Sequence, residues 1–384
     1  MNIKSNILFF KFASSMGGGE RFSFLVSKKL KEKGNRVFVF TNNRIFLKKL
    51  KKEKINCKKI FWGREVGAKR YLFEYFFLLP INIIIFSFIF IFYKKNKFNN
   101  VVFLQNLNEK IFATNLAKIF GFKVFWIEHL SAGPWLSKNF FRRSYINRSK
   151  KIDQIIVISE EIKNGLIEMG VSKDKITVVY NGVDTDEFKI FEKQTIDKEK
   201  KKLGFFKNSK IIGYVGRLHK EKGIDTLLNA FYKLTKRFDH LYLLILGDGP
   251  ENKNIREKVN KLNLEKKVLL LGYKEDVPLF LNILDIFVLP SKIRESFGMV
   301  LIEAMACGKV VLGSNIGGIP EIIKDGFNGF IFNPGDENDL VEKISNIIIN
   351  EKLLDNISER AQEDVKARFS LDVTIKNIEQ IISK

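Results

Sequence analysis

VVFLQNLNEKIFATNLAKIFGFKVFWIEHL, residues 101–130, holds two short strand-like runs, Val101–Gln105 and Val124–Ile127, on either side of an amphipathic segment, Glu109–Phe120. The runs have strand length, and the segment between them has the helical period. Strand, helix and strand in this order build parallel sheet. The alternation continues in both directions. Ile7–Phe12 and Val37–Thr41 come earlier, with the helical pattern Glu20–Lys33 between them, and Gln154–Ser159, Glu160–Met169 and Ile176–Tyr180 follow. A second series repeats it at Ile211–Val215, Leu241–Leu246, Val268–Leu271, Ile286–Leu289 and Val310–Leu312. Between the series, 184–208 is polar, lysine-rich and without an apolar period. The expectation is an α/β chain of two Rossmann-like, doubly wound parallel-sheet domains, 1–183 and 184–369, with a linker at about 184–208. A cleft is expected between the carboxyl edges of the two sheets. A last helix near Leu371–Ile382, within 370–384, is expected to return to the first domain.

At 45% hydrophobic and 28% charged over 384 residues, the composition excludes a disordered chain or a collagen-like repeat. Cys57 and Cys307 stand far apart, which excludes a disulfide framework or a thiolate metal cluster and fits a reducing cytoplasm. The apolar run within Met1–Phe10 is too short for a signal peptide. Net charge is +23, unevenly spread. Residues 1–185 carry 34 Lys and Arg against 13 Asp and Glu, whereas 186–384 carry 32 against 30. The first half therefore faces something anionic: a membrane, nucleic acid or a charged glycan. No recognition-helix, zinc or aromatic RNA-binding signature accompanies the charge, so nucleic acid is not an expected partner.

Tyr75–Tyr93 is 19 residues without a charge, long enough to cross a bilayer. The flanking strands Val37–Thr41 and Val101–Gln105 belong to one sheet in this reading, and a single crossing would separate them. A helix that is buried or inserted in a membrane surface is therefore expected ahead of a re-entrant hairpin or a span. Lys48, Lys49, Lys51, Lys52, Lys54, Lys58 and Lys59 form a basic block shortly before it. Together they predict docking of the N-terminal domain on an anionic membrane surface, with the chain peripheral on the cytoplasmic face of the plasma membrane.

Three loops carry candidate chemistry. Ser14-Ser15-Met16-Gly17-Gly18-Gly19-Glu20 lies between the first strand and a helix, where glycines admit a ligand and the helix N-terminus offers N–H groups to an anion. It is not the dinucleotide fingerprint, which needs a third glycine three places on. Gly213-Tyr214-Val215-Gly216-Arg217-Leu218-His219-Lys220-Glu221-Lys222-Gly223 puts Arg217 and Lys222 just past a strand, where two cations suit a nucleoside diphosphate. Glu295-Ser296-Phe297-Gly298-Met299-Val300-Leu301-Ile302-Glu303 places Glu295 in a loop and Glu303 in an apolar helix beginning near Phe297. Burying the Glu303 carboxylate unpaired is costly, and a ribose diol would satisfy it. Phe297 and Gly298 offer N–H groups to phosphate at the helix start.

The Glu-x7-Glu spacing with Phe-Gly inside it, Gly-Arg-x4-Lys-Gly and the Gly-Gly-Gly-Glu loop together resemble the retaining, nucleotide-sugar-dependent glycosyltransferases of family 4. Val157-Ile158-Ser159-Glu160, Tyr180-Asn181-Gly182-Val183-Asp184, Gly247-Asp248-Gly249-Pro250 and Gly317-Gly318-Ile319-Pro320-Glu321 match in the same order. The resemblance runs from about residue 5 to 370. It implies the GT-B fold and transfer from a nucleotide diphosphate sugar to a lipid-linked or glycan acceptor. It further implies that Glu303 binds ribose, that Glu295 binds the donor sugar near the reacting carbon, and that Arg217 and Lys222 neutralise the diphosphate with the N–H groups near Phe297 and Gly298. Gly17 and Gly18 would close over the diphosphate, and His129, after a strand end, matches the family's cleft histidine. His219 and His240 have no such context and read as structural. Asp184-Thr185-Asp186 spells a metal-binding pattern of other glycosyltransferases, yet it sits where this family has a turn. Neither a metal nor an organic cofactor is expected.

Overall fold

The computed structural model describes residues 4–12, 17–64, 70–130 and 140–384. It divides into two compact units, Met1–Gly182 with Leu371–Lys384, and Val183–Ser370. The first holds seven strands: β1 (Ser5–Lys11), β2 (Arg36–Thr41), β3 (Asn56–Lys59), β4 (Asn99–Leu104), β5 (Lys123–Glu128), β6 (Gln154–Val157) and β7 (Ile176–Val178). All pair in parallel, in the order β3-β2-β1-β4-β5-β6-β7. The second unit has β8 (Lys210–Val215), β9 (Leu241–Leu246), β10 (Val268–Gly272), β11 (Ile286–Leu289), β12 (Val310–Ser314) and β13 (Phe330–Phe332). These too are parallel, ordered β10-β9-β8-β11-β12-β13. Each order starts at the centre and reverses once, at β1/β4 and at β8/β11. In doubly wound sheets the ligand crevice opens at the carboxyl ends of those strands.

Alternation along the strands sorts the first unit's helices onto two faces. Ile7, Phe9, Val37, Val39, Val101 and Phe103 share one core with Phe22 and Leu25 of the Gly18–Glu32 helix and Phe46 and Leu50 of the Arg44–Lys52 helix. Ile375 and Ile378 of the Leu371–Ser383 helix complete that core. The opposite face carries Phe10, Phe38 and Phe40. There Phe86 stacks on Phe10 at 4.6 Å, and Tyr93 meets Phe38 and Phe40 edge-on at 4.6 and 5.3 Å.

Those last contacts belong to a 24-residue helix, Arg70–Tyr93, which joins β3 to β4. Its sheet-facing side is buried at Tyr75, Asn82, Phe86 and Phe90, and its other side is exposed. Because β2 and β4 both pair with β1, the chain before and after this helix is held in one sheet and the helix does not divide it. The helix is anchored at its middle and its C-terminal end: Asn82 Nδ2 donates to the Trp62 carbonyl at 3.0 Å, and Asn6 Nδ2 to the Tyr93 carbonyl at 2.7 Å. The fully buried option is corrected here, since only 28% of the most apolar stretch is inside the protein.

Two further readings shift. The stretch 184–208, expected as a linker at the start of the second domain, holds a helix, Lys193–Lys202, without one buried residue, hence the missing apolar period. The helices expected at Glu20 and near Phe297 start at Gly18 and Met299, capped by Gly17 and Gly298. Gly298 adopts φ 108°, which a residue with a Cβ rarely reaches.

Ile378 is fully buried in the first unit's core. Ile378→Ala should cost roughly 2–4 kcal/mol by transfer and cavity formation, read as a lower denaturation midpoint for the first unit. A midpoint within error of wild type would mean that the C-terminal helix is not part of that core.

Candidate functional site

In the second unit the loops after β8, β9, β11 and β12 meet at the carboxyl edge, held by backbone contacts that only glycine allows. Gly223, at φ 68°, lies where a Cβ would stand 1.9 Å from the Pro290 carbonyl oxygen. The Lys292 N–H donates to the Glu221 carbonyl at 2.8 Å, so the β8 and β11 loops are tied directly. Gly317, at φ 61°, packs on the backbone of Glu295, and the Gly318 N–H donates to the Glu295 carbonyl at 2.8 Å.

This frame brings Lys222 and Glu295 together: Lys222 Nζ donates to Glu295 Oε1 at 2.5 Å, both side chains about 15% exposed. Ser291 Oγ donates to the same oxygen. Arg217 stands apart, 74% exposed, with Nη2 3.7 Å from Glu221 Oε1. Tyr214 donates to the Arg217 carbonyl at 2.8 Å, and burial, reinforced by the Glu295 charge, pushes its phenol above its ordinary range. Glu303 is 4% exposed in the Met299–Ala306 helix, between the buried Ile302 and Ala304, and Phe297 is buried with its ring 5.7 Å from that of Phe369. Arg217, Lys222, Glu295, Phe297, Gly298 and Glu303 thus lie on the loops and helix that follow β8 and β11, the strands at the sheet's reversal. Asp184 Oδ1 accepts from the Asp186 N–H at 3.0 Å, a local turn. Among the described residues no cluster of three or more His, Cys, Asp or Glu side chains could hold a metal ion.

In the first unit, Gly18, Gly19 and His129 line a cavity of about 250 Å³ with Lys11, Gln105, Lys110 and Glu128. Ser14, Ser15 and Met16 lie outside the described residues. The Gly17 N–H is taken by Glu20 Oε2 at 2.8 Å, so it caps its helix. Gly19 lies against the imidazole: a Cβ there would sit 3.1 Å from His129 Cδ2. His129 Nε2 is 3.3 Å from Gln105 Oε1, which also accepts from Ser23 Oγ at 2.8 Å. With that oxygen facing both groups, Nε2 carries the proton and Nδ1 remains an acceptor. Burial, then the charges of Lys11 and Lys110, hold the imidazole well below its usual pKa, so it is neutral.

Sequence reading missed the floor of this cavity. Lys110 Nζ donates to Glu128 Oε1 at 2.5 Å and to the Ile127 carbonyl at 3.1 Å, and Tyr145 Oη donates to the same carboxylate oxygen at 2.6 Å. All three side chains are buried. Glu128, beside His129 at the end of an apolar strand, was the available signal, since a carboxylate there needs partners.

A family model described as "Glycosyl transferases group 1" matches residues 195–364, and one described as "Glycosyltransferase Family 4" matches residues 16–187. The chain is 33% identical over 229 residues to the N-acetyl-alpha-D-glucosaminyl L-malate synthase of Bacillus anthracis, covering 60% of this chain and 59% of that protein. It is 32% identical over 234 residues to the capsular polysaccharide biosynthesis glycosyltransferase CapM of Staphylococcus aureus, covering 59% of this chain and 60% of that one. The matched stretch thus spans about six-tenths of the length of these curated relatives. Anabaena Alr3699/HepE, whose crystal structure is of a complex with UDP and glucose, aligns with TM-score 0.82 over 99% of this chain and 100% of that chain, at 22% identity. The fold is GT-B, and the chain belongs to glycosyltransferase family 4.

The neutral state of His129 has a pH consequence. An unfolded histidine takes up a proton near 6.5, while this site in the folded chain resists it. Its contribution to stability is therefore complete above that value and is lost as pH falls below it. His129→Phe keeps a ring against Phe22, now 5.2 Å away, and should flatten the acid side of the first unit's Tm–pH profile. An unchanged acid slope would show that His129 protonates freely.

Proposed function

We propose that the chain transfers a sugar from a nucleotide diphosphate sugar to a lipid-linked or glycan acceptor, with retention of anomeric configuration, at the cytoplasmic face of the plasma membrane. The carrying observation is the Lys222–Glu295 pair at the carboxyl ends of β8 and β11, with Arg217 on the same loop and the buried Glu303 one helix on. As the bond from the anomeric carbon to the diphosphate lengthens, positive character grows on the sugar and negative charge on the leaving oxygens. Arg217 and Lys222 stabilise that leaving charge: Lys222 is held by Glu295 before the donor arrives, and the exposed Arg217 joins it from the same loop. Glu295, fixed by Lys222 and Ser291, accepts from the donor sugar's hydroxyls, and Glu303 accepts from the ribose. His129 serves the acceptor side of the reaction.

The donor class is supported by the UDP and glucose bound to the Anabaena neighbour, and a place in cell-surface polysaccharide or glycolipid synthesis by the capsular relative. Cationic side chains and helix starts take the place of a metal ion in this reading.

A nucleotide-sugar panel, read for transfer or hydrolysis, tests it. Arg217→Ala should slow turnover about 10- to 150-fold, corresponding to roughly 1.5–3 kcal/mol of transition-state stabilisation, with Tm unchanged because the side chain is exposed. Lys222→Ala should lose a similar factor and also lower Tm, since Glu295 keeps its charge without its partner. Turnover should persist in EDTA; full loss restored by Mn²⁺ would return Asp184 and Asp186 as ligands. Glu303→Gln should weaken nucleotide binding, whereas His129→Ala should lower turnover and leave it intact. Calorimetry showing no nucleotide binding by His129→Ala would reverse those two roles.

A further inference from the structure

The side of the Arg70–Tyr93 helix turned from the sheet is apolar along its whole length. Phe73, Phe77, Ile84, Phe88, Ile91 and Phe92 are 57–80% exposed. The first five recur at steps of four, seven, four and three, one stripe along a 24-residue helix about 36 Å long. A helix apolar all round is ordinarily either core or in contact with lipid. This one is core on one side only, and scattered surface hydrophobes do not account for so continuous a stripe. It cannot cross a bilayer without separating β2 from β4, which share β1 as a neighbour. An apolar solvent reached from one side is the remaining environment, and that is the geometry of an interfacial helix.

Charge marks the same part of the unit. The helix ends at the amino edge of the sheet, followed by Lys94, Lys95 and Lys97. A groove at this edge is lined by Lys4, Lys97 and Lys123, together with Lys33, Lys376 and Glu379 from the helices of the sheet's other face, where Lys33 pairs with Glu379 at 2.7 Å. The Lys48–Lys52 block lies over the sheet's other face. Its helix buries Phe46 and Leu50 in the core on the opposite face of the sheet from Phe86 and Phe90.

We propose that the exposed stripe of the Arg70–Tyr93 helix inserts side-on into a leaflet of anionic phospholipid, with Lys94, Lys95 and Lys97 at its end, rather than the Lys48–Lys52 block on the sheet's other face, taking the headgroups. The proposal rests on the reading that the chain acts at a membrane face, and it names the surface that docks.

Sedimentation of the full chain with phosphatidylglycerol–phosphatidylcholine vesicles, against pure phosphatidylcholine, tests it. The double variant Phe77→Asp, Phe88→Asp should lose binding about tenfold or more, because both signals are needed for stable anchoring. Lys94→Gln, Lys95→Gln, Lys97→Gln should weaken binding in a salt-dependent way. Lys48→Gln, Lys49→Gln, Lys51→Gln, Lys52→Gln should change it by less than about twofold, because their helix packs on the face of the sheet turned from the stripe. Brominated acyl chains should quench Phe88→Trp beyond the wild-type signal and leave Phe206→Trp, in the second unit, unquenched. The altered side chains are exposed, apart from the half-buried Lys95, so an unchanged Tm checks folding.

Wild-type binding by the Phe77, Phe88 double variant would overturn the proposal. A dominant effect of the Lys48–Lys52 block would overturn it as well. So would a lipid-free dimer that the double variant dissolves, with no vesicle binding by the wild type. Vesicle binding together with no turnover on any nucleotide sugar would sink the transferase reading and leave insertion standing. Turnover in solution without vesicle binding would do the reverse.

Discussion

At the carboxyl edge of the second sheet, backbone meets backbone with no room for a side chain. A Cβ on Gly247 would lie 1.8 Å from the Gly216 carbonyl oxygen, one on Gly223 1.9 Å from that of Pro290, and one on Gly249 2.3 Å from that of Leu218. These approaches lock the β8, β9 and β11 loops into one body before any side chain acts. The Leu218 N–H donating to the Asp248 carbonyl at 2.9 Å belongs to the same lock. Rigid loops let a lysine and a glutamate from different strands meet at 2.5 Å without a large entropy cost, because the backbone has already been placed. The Lys222–Glu295 pair is therefore a product of the glycine pattern rather than its cause.

The first unit solves a different problem with a similar pair. Lys110 and Glu128 are almost fully buried, and removing either partner from such a pair costs about 3–5 kcal/mol, because the charge left behind has no water. Tyr145 and the Ile127 carbonyl supply the remaining bonds, so the network pins the end of β5 to two helices. His129 is the next residue along. Its neutrality follows from what surrounds it: burial first, then two ammonium groups, Lys11 and Lys110, that both disfavour an imidazolium. The Lys222–Glu295 pair is shallower and partly open, so its groups can exchange partners at lower cost. One ion pair is closed to water and the other is partly open to it.

Strand–helix alternation was legible in the sequence because buried parallel strands are short apolar runs, and Val101–Gln105 and Val124–Ile127 came within a residue or two of β4 and β5. Helix starts at Gly18 and Met299 were displaced because glycine N-caps carry no side-chain signal. The Lys193–Lys202 helix was invisible for want of a buried face. Arg217, Lys222, Glu295 and Glu303 could be picked out from spacing and resemblance. Their pairing could not, since it depends on which loops touch across β8 and β11. The Lys110–Glu128–Tyr145 network joins residues 18 and 17 positions apart through the fold and has no local pattern at all.

Charge counting was the coarsest of these signals. A net excess in residues 1–185 says nothing about which face of a sheet bears it, whereas period-two alternation does. Phe9 and Val39 send the Arg44–Lys52 helix to one face, and Phe10 and Phe40 send the Arg70–Tyr93 helix to the other. The polar needs of the second helix are met on its inner side and at its end. Asn82 bonds the Trp62 carbonyl, and the Tyr93 carbonyl accepts from Asn6, which also donates to Asn100 Oδ1 at 2.9 Å. Nothing in the fold then requires the outer side to be apolar, for lysines or glutamates there would leave the sheet contacts as they are. A stripe of exposed phenylalanine and isoleucine costs solubility in water and adds nothing to the core. Its chemistry fits the lipid leaflet proposed as its partner.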